Sequence, residues 1–160
     1  MPIQCEIVTQ ERTVFSAEVD AVNLPTPEGR MGVLPNHMVM LTTLGFGEVS
    51  VRRGSELEYF AIGGGFAEIL PDRVTLLADS AEGVEEIDVE RAQRARERAV
   101  KAMEEGIPED SERYAQIEAS LQRAQVRIEL GRRRGAGRRQ RAMPGGGGPP
   151  VREDERGEGQ

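Results

Sequence analysis

The sequence predicts an N-terminal antiparallel β-sandwich, a C-terminal antiparallel two-helix hairpin and a disordered tail. Three observations carry this prediction. Short apolar runs broken by Gly, Pro and Asn continue to about residue 83, the hydrophobic period changes at Asp88, and the composition turns to Arg, Gly and Pro after Gly131. The expected divisions are a sandwich over 1–84, a hairpin over 87–131 and a basic Gly/Pro-rich tail over 132–160.

The strands come first. Ile3, Cys5 and Ile7 alternate with Gln4, Glu6 and Val8, and Val49 and Val51 alternate with Glu48, Ser50 and Arg52. Leu57 to Ile62, Phe66 to Leu70 and Val74 to Ala78 are further short runs, the last two separated by Pro71-Asp72. A period of two with turn residues at such spacing is the signal of an all-β sandwich. No helix-length pattern separates the runs, so a parallel α/β sheet is excluded.

At Asp88 the period becomes helical. A carboxylate there can accept from the free amides of a first turn. Val89, Ala92, Ala99 and Met103 follow at helical spacing, and Gly106 and Pro108 end the helix. A second helix starts near Asp110 or Ser111. Its apolar positions Tyr114, Ile117, Leu121, Ala124 and Ile128 form one narrow seam that suits a single partner helix, with Gly131 as the expected stop. Helices this poor in apolar surface are marginal without another surface to pack on.

Charge is distributed unevenly. Residues 1–90 hold 5 basic and 16 acidic side chains, residues 91–130 hold 8 of each, and residues 131–160 hold 8 basic and 4 acidic. An acidic body repels phosphate backbones, so nucleic acid is not an expected partner. The tail's Arg132–Arg134, Arg138, Arg139 and Arg141 lack interleaved aromatics for base stacking. Cys5 is the only cysteine and reads as a small buried hydrophobe. No apolar run approaches the roughly 20 residues of a membrane span, and no secretory signal opens the chain. Direct membrane insertion is therefore not expected.

Several chemical readings fail on residue type. Gly63-Gly64-Gly65 lacks the Lys and Ser/Thr of a phosphate-binding P-loop and reads as backbone freedom between two strands. His37, the only histidine, has neither a metal-ligand set nor a nucleophile motif to work with. The hairpin arginines are more informative. Arg94 and Arg98 share one helix face, as do Arg123 and Arg127, and a closed hairpin brings the pairs together. Converged guanidinium groups suit phosphates or carboxylates, whereas the plain alternative is a solvated charged surface.

Three motifs in order carry a family resemblance. Gly29-Arg30-Met31-Gly32-Val33-Leu34-Pro35-Asn36-His37 resembles the G-x-x-G-[IV]-[LY]-P-x-H signature of F-type ATP synthase epsilon subunits. Gly63-Gly64-Gly65-Phe66-Ala67-Glu68 resembles the family's G-G-F-x-E block, and Ile87-Asp88-Val89-Glu90-Arg91-Ala92 its [IL]-D-x-x-R-A segment. Met38-Val39-Met40 stands where the family has Pro-Leu, and Arg30 where an acidic residue is common.

The resemblance implies a non-catalytic rotor subunit on the cytoplasmic side of the cell membrane, with no required cofactor. The sandwich would meet the gamma subunit and the c-ring through Gly29, Arg30, Met31, Gly32 and His37. The hairpin would fold onto the sandwich, or extend to inhibit ATP hydrolysis by meeting an acidic segment of the beta subunit through Arg113, Arg123 and Arg127. It further implies regulatory ATP bound by Glu82, Ile87, Asp88, Arg91, Ala92, Arg98, Arg123 and Arg127. A free-standing ATP-sensing or adaptor module is the alternative from the binding class. A small-molecule enzyme using the His37 loop is the third reading.

Overall fold

Alternation places Ile3, Cys5 and Ile7 of strand β1 (Ile3–Val8) in the core, each essentially solvent-free. The computed structural model describes the backbone of residues 1–141 and the side chains of residues 1–134. After β1 come β2 (Thr13–Val19), β3 (Ala21–Thr26), β4 (Gly29–Val33), β5 (Met40–Arg53), β6 (Glu56–Ile69), β7 (Arg73–Ala78) and β8 (Ala81–Gly83). A single 3-10 turn (Val84–Glu86) leads to helices α1 (Val89–Glu104) and α2 (Glu112–Arg141).

The strands form a sheet of order β2-β1-β7-β6-β5-β3-β4, with β8 on β6. Pairing is antiparallel except between β1 and β7, which run parallel; to that extent the antiparallel expectation is corrected. These two strands are joined through five others, so no tight hairpin dictates their relative direction. The long hairpin of β5 and β6 belongs to both layers of the sandwich. Its Arg52 end pairs with β3, and its Ile69 end pairs with β7. Phe15 of β2 meets Phe60 of β6 edge-on at 5.3 Å, closing the layers.

The glycine triplet lies inside β6, not between two strands. Gly64 and Gly65 have φ of +83° and +114°, and a Cβ on Gly65 would collide with the Leu77 carbonyl. These residues let β6 turn from one layer into the other. The short apolar runs on either side therefore belong to one 14-residue strand.

Helix boundaries follow local chemistry. Asp88 caps α1, its Oδ1 accepting from the Arg91 amide at 3.0 Å. Gly106 ends α1 at φ +80°. Ser111 caps α2, its Oγ accepting from the Tyr114 amide at 3.1 Å. Gly131, however, does not stop α2, which continues to Arg141, and residues 132–141 are helical rather than tail. Arg132–Arg134 favour helix, and Gly131 serves packing instead. A Cβ there would sit 2.6 Å from Val89 Cγ2 and 3.1 Å from Ile87 Cγ2. The expectation for residues 142–160 lies outside the described residues.

The hairpin is folded against the sandwich. Besides the expected seam, α2 carries a second line at Arg123, Arg127, Leu130 and Arg134, with steps of 4, 3 and 4. That spacing defines one face, turned about 120° from the seam. Arg123 crosses Gly63, Arg127 meets Glu82, Leu130 is 1% exposed and Arg134 stacks on Tyr59. The second line thus packs on β6 and its neighbours.

Two outcomes follow. Burial pushes the Cys5 thiol up to about 12, so it stays protonated in the fold while an unfolded thiol ionises from about 9.0. Its contribution is complete below that ordinary value and is lost as pH rises toward 12. Native protein at pH 8.5 should resist alkylation for hours and react within minutes in denaturant, as mass spectrometry will read; rapid native labelling refutes the buried position. Gly63→Ala keeps an allowed backbone but puts its methyl in collision with Ser80 Oγ, a hydroxyl that can rotate away, and 2.8 Å from Arg123 Cγ, which is held in the helix contact. Overpacking of about 1–3 kcal/mol should speed tryptic cleavage within α2 about tenfold while the sandwich stays intact; an unchanged cleavage rate contradicts the close crossing.

Candidate functional site

A cleft of about 610 Å³ opens where the hairpin meets the sandwich. Helix α1 supplies Arg91, Ala92, Ala95 and Arg98, which share one face with its cap, Asp88. Arg127 enters from α2, and the segment Asp79–Glu82 forms the floor beside β8. The β1–β2 turn, Thr9 to Arg12, makes the rim with Glu86.

The charges of the cleft are unequally engaged. Arg127 Nε donates to Glu82 Oε2 at 2.7 Å, tying α2 to β8. Arg12 Nη2 donates to Glu86 Oε2 at 2.9 Å, and the Gly83 amide donates to the same oxygen at 3.1 Å. The Arg12 bond, then the Gly83 amide, holds the Glu86 carboxyl below the ordinary carboxylate range, and the same pair raises Arg12. With its folded value lowered, Glu86 secures this rim above about 4.5 and loses it as pH falls further. Among the described residues, neither Arg91 nor Arg98 has an ion-pair partner. Two uncommitted guanidinium groups facing one cleft form a site for an anion with several oxygens.

Six of the eight residues assigned to regulatory ATP by resemblance line this cleft: Glu82, Asp88, Arg91, Ala92, Arg98 and Arg127. Arg123 lies outside the lining, its stem against Gly63, and Ile87 packs on Gly131. Arg94 is also absent from the lining, so the expected convergence reduces to Arg91, Arg98 and Arg127. Residue spacing alone did not reveal Arg12, Glu86 and Asp79, which arrive through turns; Ala95 was legible as the position between Arg91 and Arg98.

The other assigned surfaces are separate. Gly29, Arg30, Met31 and Gly32 form edge strand β4, pairing with Thr26, Pro25, Leu24 and Asn23 of β3. His37 closes a turn in which its amide donates to the Leu34 carbonyl at 3.2 Å. Pro35 and Asn36, the latter at φ +63°, suit the two central positions of a type II turn. Beside it, Leu34, Met38, Val39 and Leu41 are each more than half exposed. Phe66 and Leu77, paired across β6 and β7, are also more than half exposed. Apolar surface gathered in this way marks an interaction face. Arg113 lies in the first turn of α2, about 15 Å along the axis from Arg123.

Comparison with known proteins agrees with this architecture. The ATP synthase delta/epsilon chain β-sandwich domain matches residues 2–84, and its long α-helix domain matches residues 85–130. The ATP synthase epsilon chain of Herpetosiphon aurantiacus is 50% identical over 135 residues, spanning 84% of this chain and 97% of that one. That of Dehalococcoides mccartyi is 45% identical over 133 residues, spanning 82% and 94%. A chain of the Euglena gracilis mitochondrial ATP synthase, solved with OSCP, F1 and c-ring, superposes with a TM-score of 0.65 at 28% identity, covering 78% of each chain. A Tetrahymena thermophila chain, at 13% identity and TM-score 0.53, shares the fold. With both domains matched in order and 50% identity over 135 residues that span 97% of a relative, the chain belongs to the epsilon subunit family of the F-type ATP synthase.

Proposed function

We propose that this chain is a central-stalk rotor subunit whose hairpin senses ATP and, when extended, restrains ATP hydrolysis. The observation that carries the reading is the cleft at the joint between hairpin and sandwich. Its lining is drawn from both parts, so a ligand filling it touches the folded arrangement and loses its site when the hairpin leaves. A ligand shifts a conformational equilibrium only through such differential binding. Arg91 and Arg98 offer the polyphosphate uncommitted donors, and Arg127 is held within reach by Glu82. The carboxylates of Glu82 and Asp88 are acceptors suited to the amine or hydroxyl groups of a nucleoside.

In this reading the exposed apolar face around Leu34–Leu41, with edge strand β4 and His37, docks on the gamma subunit and the c-ring at the cytoplasmic side of the membrane. Synthesis and hydrolysis take place in other subunits, and proton flow is coupled to them by rotation. Among the described residues no helix is long and apolar enough to cross a membrane. Attachment through the complex accounts for a peripheral location. The extended hairpin presents Arg113, Arg123 and Arg127 to an acidic segment of the beta subunit. Arg127 cannot bond Glu82 and that segment at once, so the folded and inhibitory states exclude one another.

Two measurements test the proposal. ATP added to the isolated chain at millimolar concentration should shift the NMR resonances of Arg91, Arg98 and the Glu82 strand. Arg91→Ala or Arg98→Ala should weaken binding about tenfold or more, the scale of a lost charge-assisted contact. Resonances unmoved by ATP would remove the sensing role. In the assembled complex, Arg123→Ala with Arg127→Ala should raise ATP hydrolysis several-fold. The outcome is demanding, because loss of the Glu82 bond also favours extension; unchanged or lower hydrolysis argues against the beta contact.

A further inference from the structure

The strongest feature outside the cleft lies at the far end of α2. Glu48 of β5 has a side chain only 6% exposed, in the middle of the sheet. Its Oε2 accepts from Arg133 Nη2 at 2.5 Å, and its Oε1 lies 3.4 Å from Arg134 Nη2 and 3.6 Å from Arg30 Nη1. The guanidinium carbon of Arg134 stands 4.0 Å from the centre of the Tyr59 ring. These arginines follow the stretch matched by the helical family domain, which ends at residue 130.

We propose that Glu48 and Tyr59 form a guanidinium-binding site on the sandwich, occupied in cis by Arg133 and Arg134 of α2, and that this site latches the hairpin shut. A carboxylate so enclosed needs opposite charge and donors to offset its lost hydration. Arg133 supplies the close donor. Arg134 adds an aromatic face contact, favoured for the delocalised guanidinium cation. The Nε of Arg134 is buried without a hydrogen-bond partner, so Arg134 is held by ring and carboxylate while Arg133 makes the tighter bond.

The arrangement is a latch rather than a permanent clasp because its parts are polar. When α2 lifts, water hydrates Glu48 and both guanidinium groups, and Arg30 stays as the local counter-charge. The same oxygen serves Arg134 and Arg30, so edge strand β4 and helix α2 compete for it. The latch is separate from the ATP cleft, which contains none of these residues.

The test is amide hydrogen exchange along α2 in the full chain, without ATP. Arg133→Ala with Arg134→Ala should accelerate exchange over residues 123–131 about tenfold, with the sandwich amides unchanged. Glu48→Gln should do the same, and the triple substitution should add nothing further, the mark of one shared interaction. Arg132→Ala removes the same charge from the neighbouring position, which lines a groove facing α1, and should leave exchange unaltered. Arg30→Ala removes the competitor and should leave the hairpin as closed as before, or more so. Equal acceleration by Arg132→Ala would reduce the effect to helix charge and overturn the proposal. So would unaltered exchange in the Arg133/Arg134 variant, which changes two partly exposed side chains of the helix and none of the sandwich core. A sandwich that loosens in Glu48→Gln alone would assign Glu48 to the core and not to the hairpin.

Discussion

The contact between α2 and the sheet is made largely by arginine side chains, Arg123 laying its stem over Gly63, Arg127 bonding Glu82 and Arg134 covering Tyr59, and the behaviour of the molecule depends on it. Arg123 crosses Gly63 and Arg127 is bonded to Glu82, with Leu130 as the main apolar contribution on that line. A helix docked by a broad apolar stripe would expose that stripe on leaving, at roughly 25 cal/mol for every Å² uncovered. A polar contact exchanges protein bonds for water bonds, so that each lost bond to a charged group costs only its net worth, about 1–3 kcal/mol. The folded state can therefore be the resting form and still be abandoned without a large free-energy penalty.

The sandwich works in the opposite way. Its core is mostly aliphatic, with Phe60 as the buried aromatic and Cys5 acting as one more small hydrophobe. The bend in β6 is fixed by Gly65, where a Cβ would strike the Leu77 backbone. Rigidity on one side and reversibility on the other suit the proposed role, in which the sandwich stays on the shaft while the hairpin changes place. The cleft lies at the boundary between the two, where both contribute to the lining.

Much of this was legible in the sequence. The alternation of β1 and the caps at Asp88, Gly106 and Ser111 follow rules of short range, and the structure obeys them. The longer-range features were not readable. Nothing local tells Gly63 that Arg123 will cross it, or Gly131 that Val89 will press against it. A glycine beside arginines reads as a helix stop by local rules, and close packing overrode them. The second face of α2 is visible as a spacing at Arg123, Arg127, Leu130 and Arg134, but three of its four members are charged. A search for apolar periodicity passes over it. Arg12 and Glu86 reach the cleft through turns whose positions only the whole fold determines.

The two long strands β5 and β6 have a mechanical consequence. They pair along almost their whole length, from Met40 opposite Ile69 to Arg53 opposite Glu56, a ribbon of about 45 Å. Its exposed apolar end begins at Met40 and Leu41, and its middle carries Glu48. A pull along β5 at that end loads the ladder in shear, so that many hydrogen bonds bear the force together instead of parting one by one. A load applied there would pass along the paired strands, round the bend at Gly64 and Gly65, into the layer under α2.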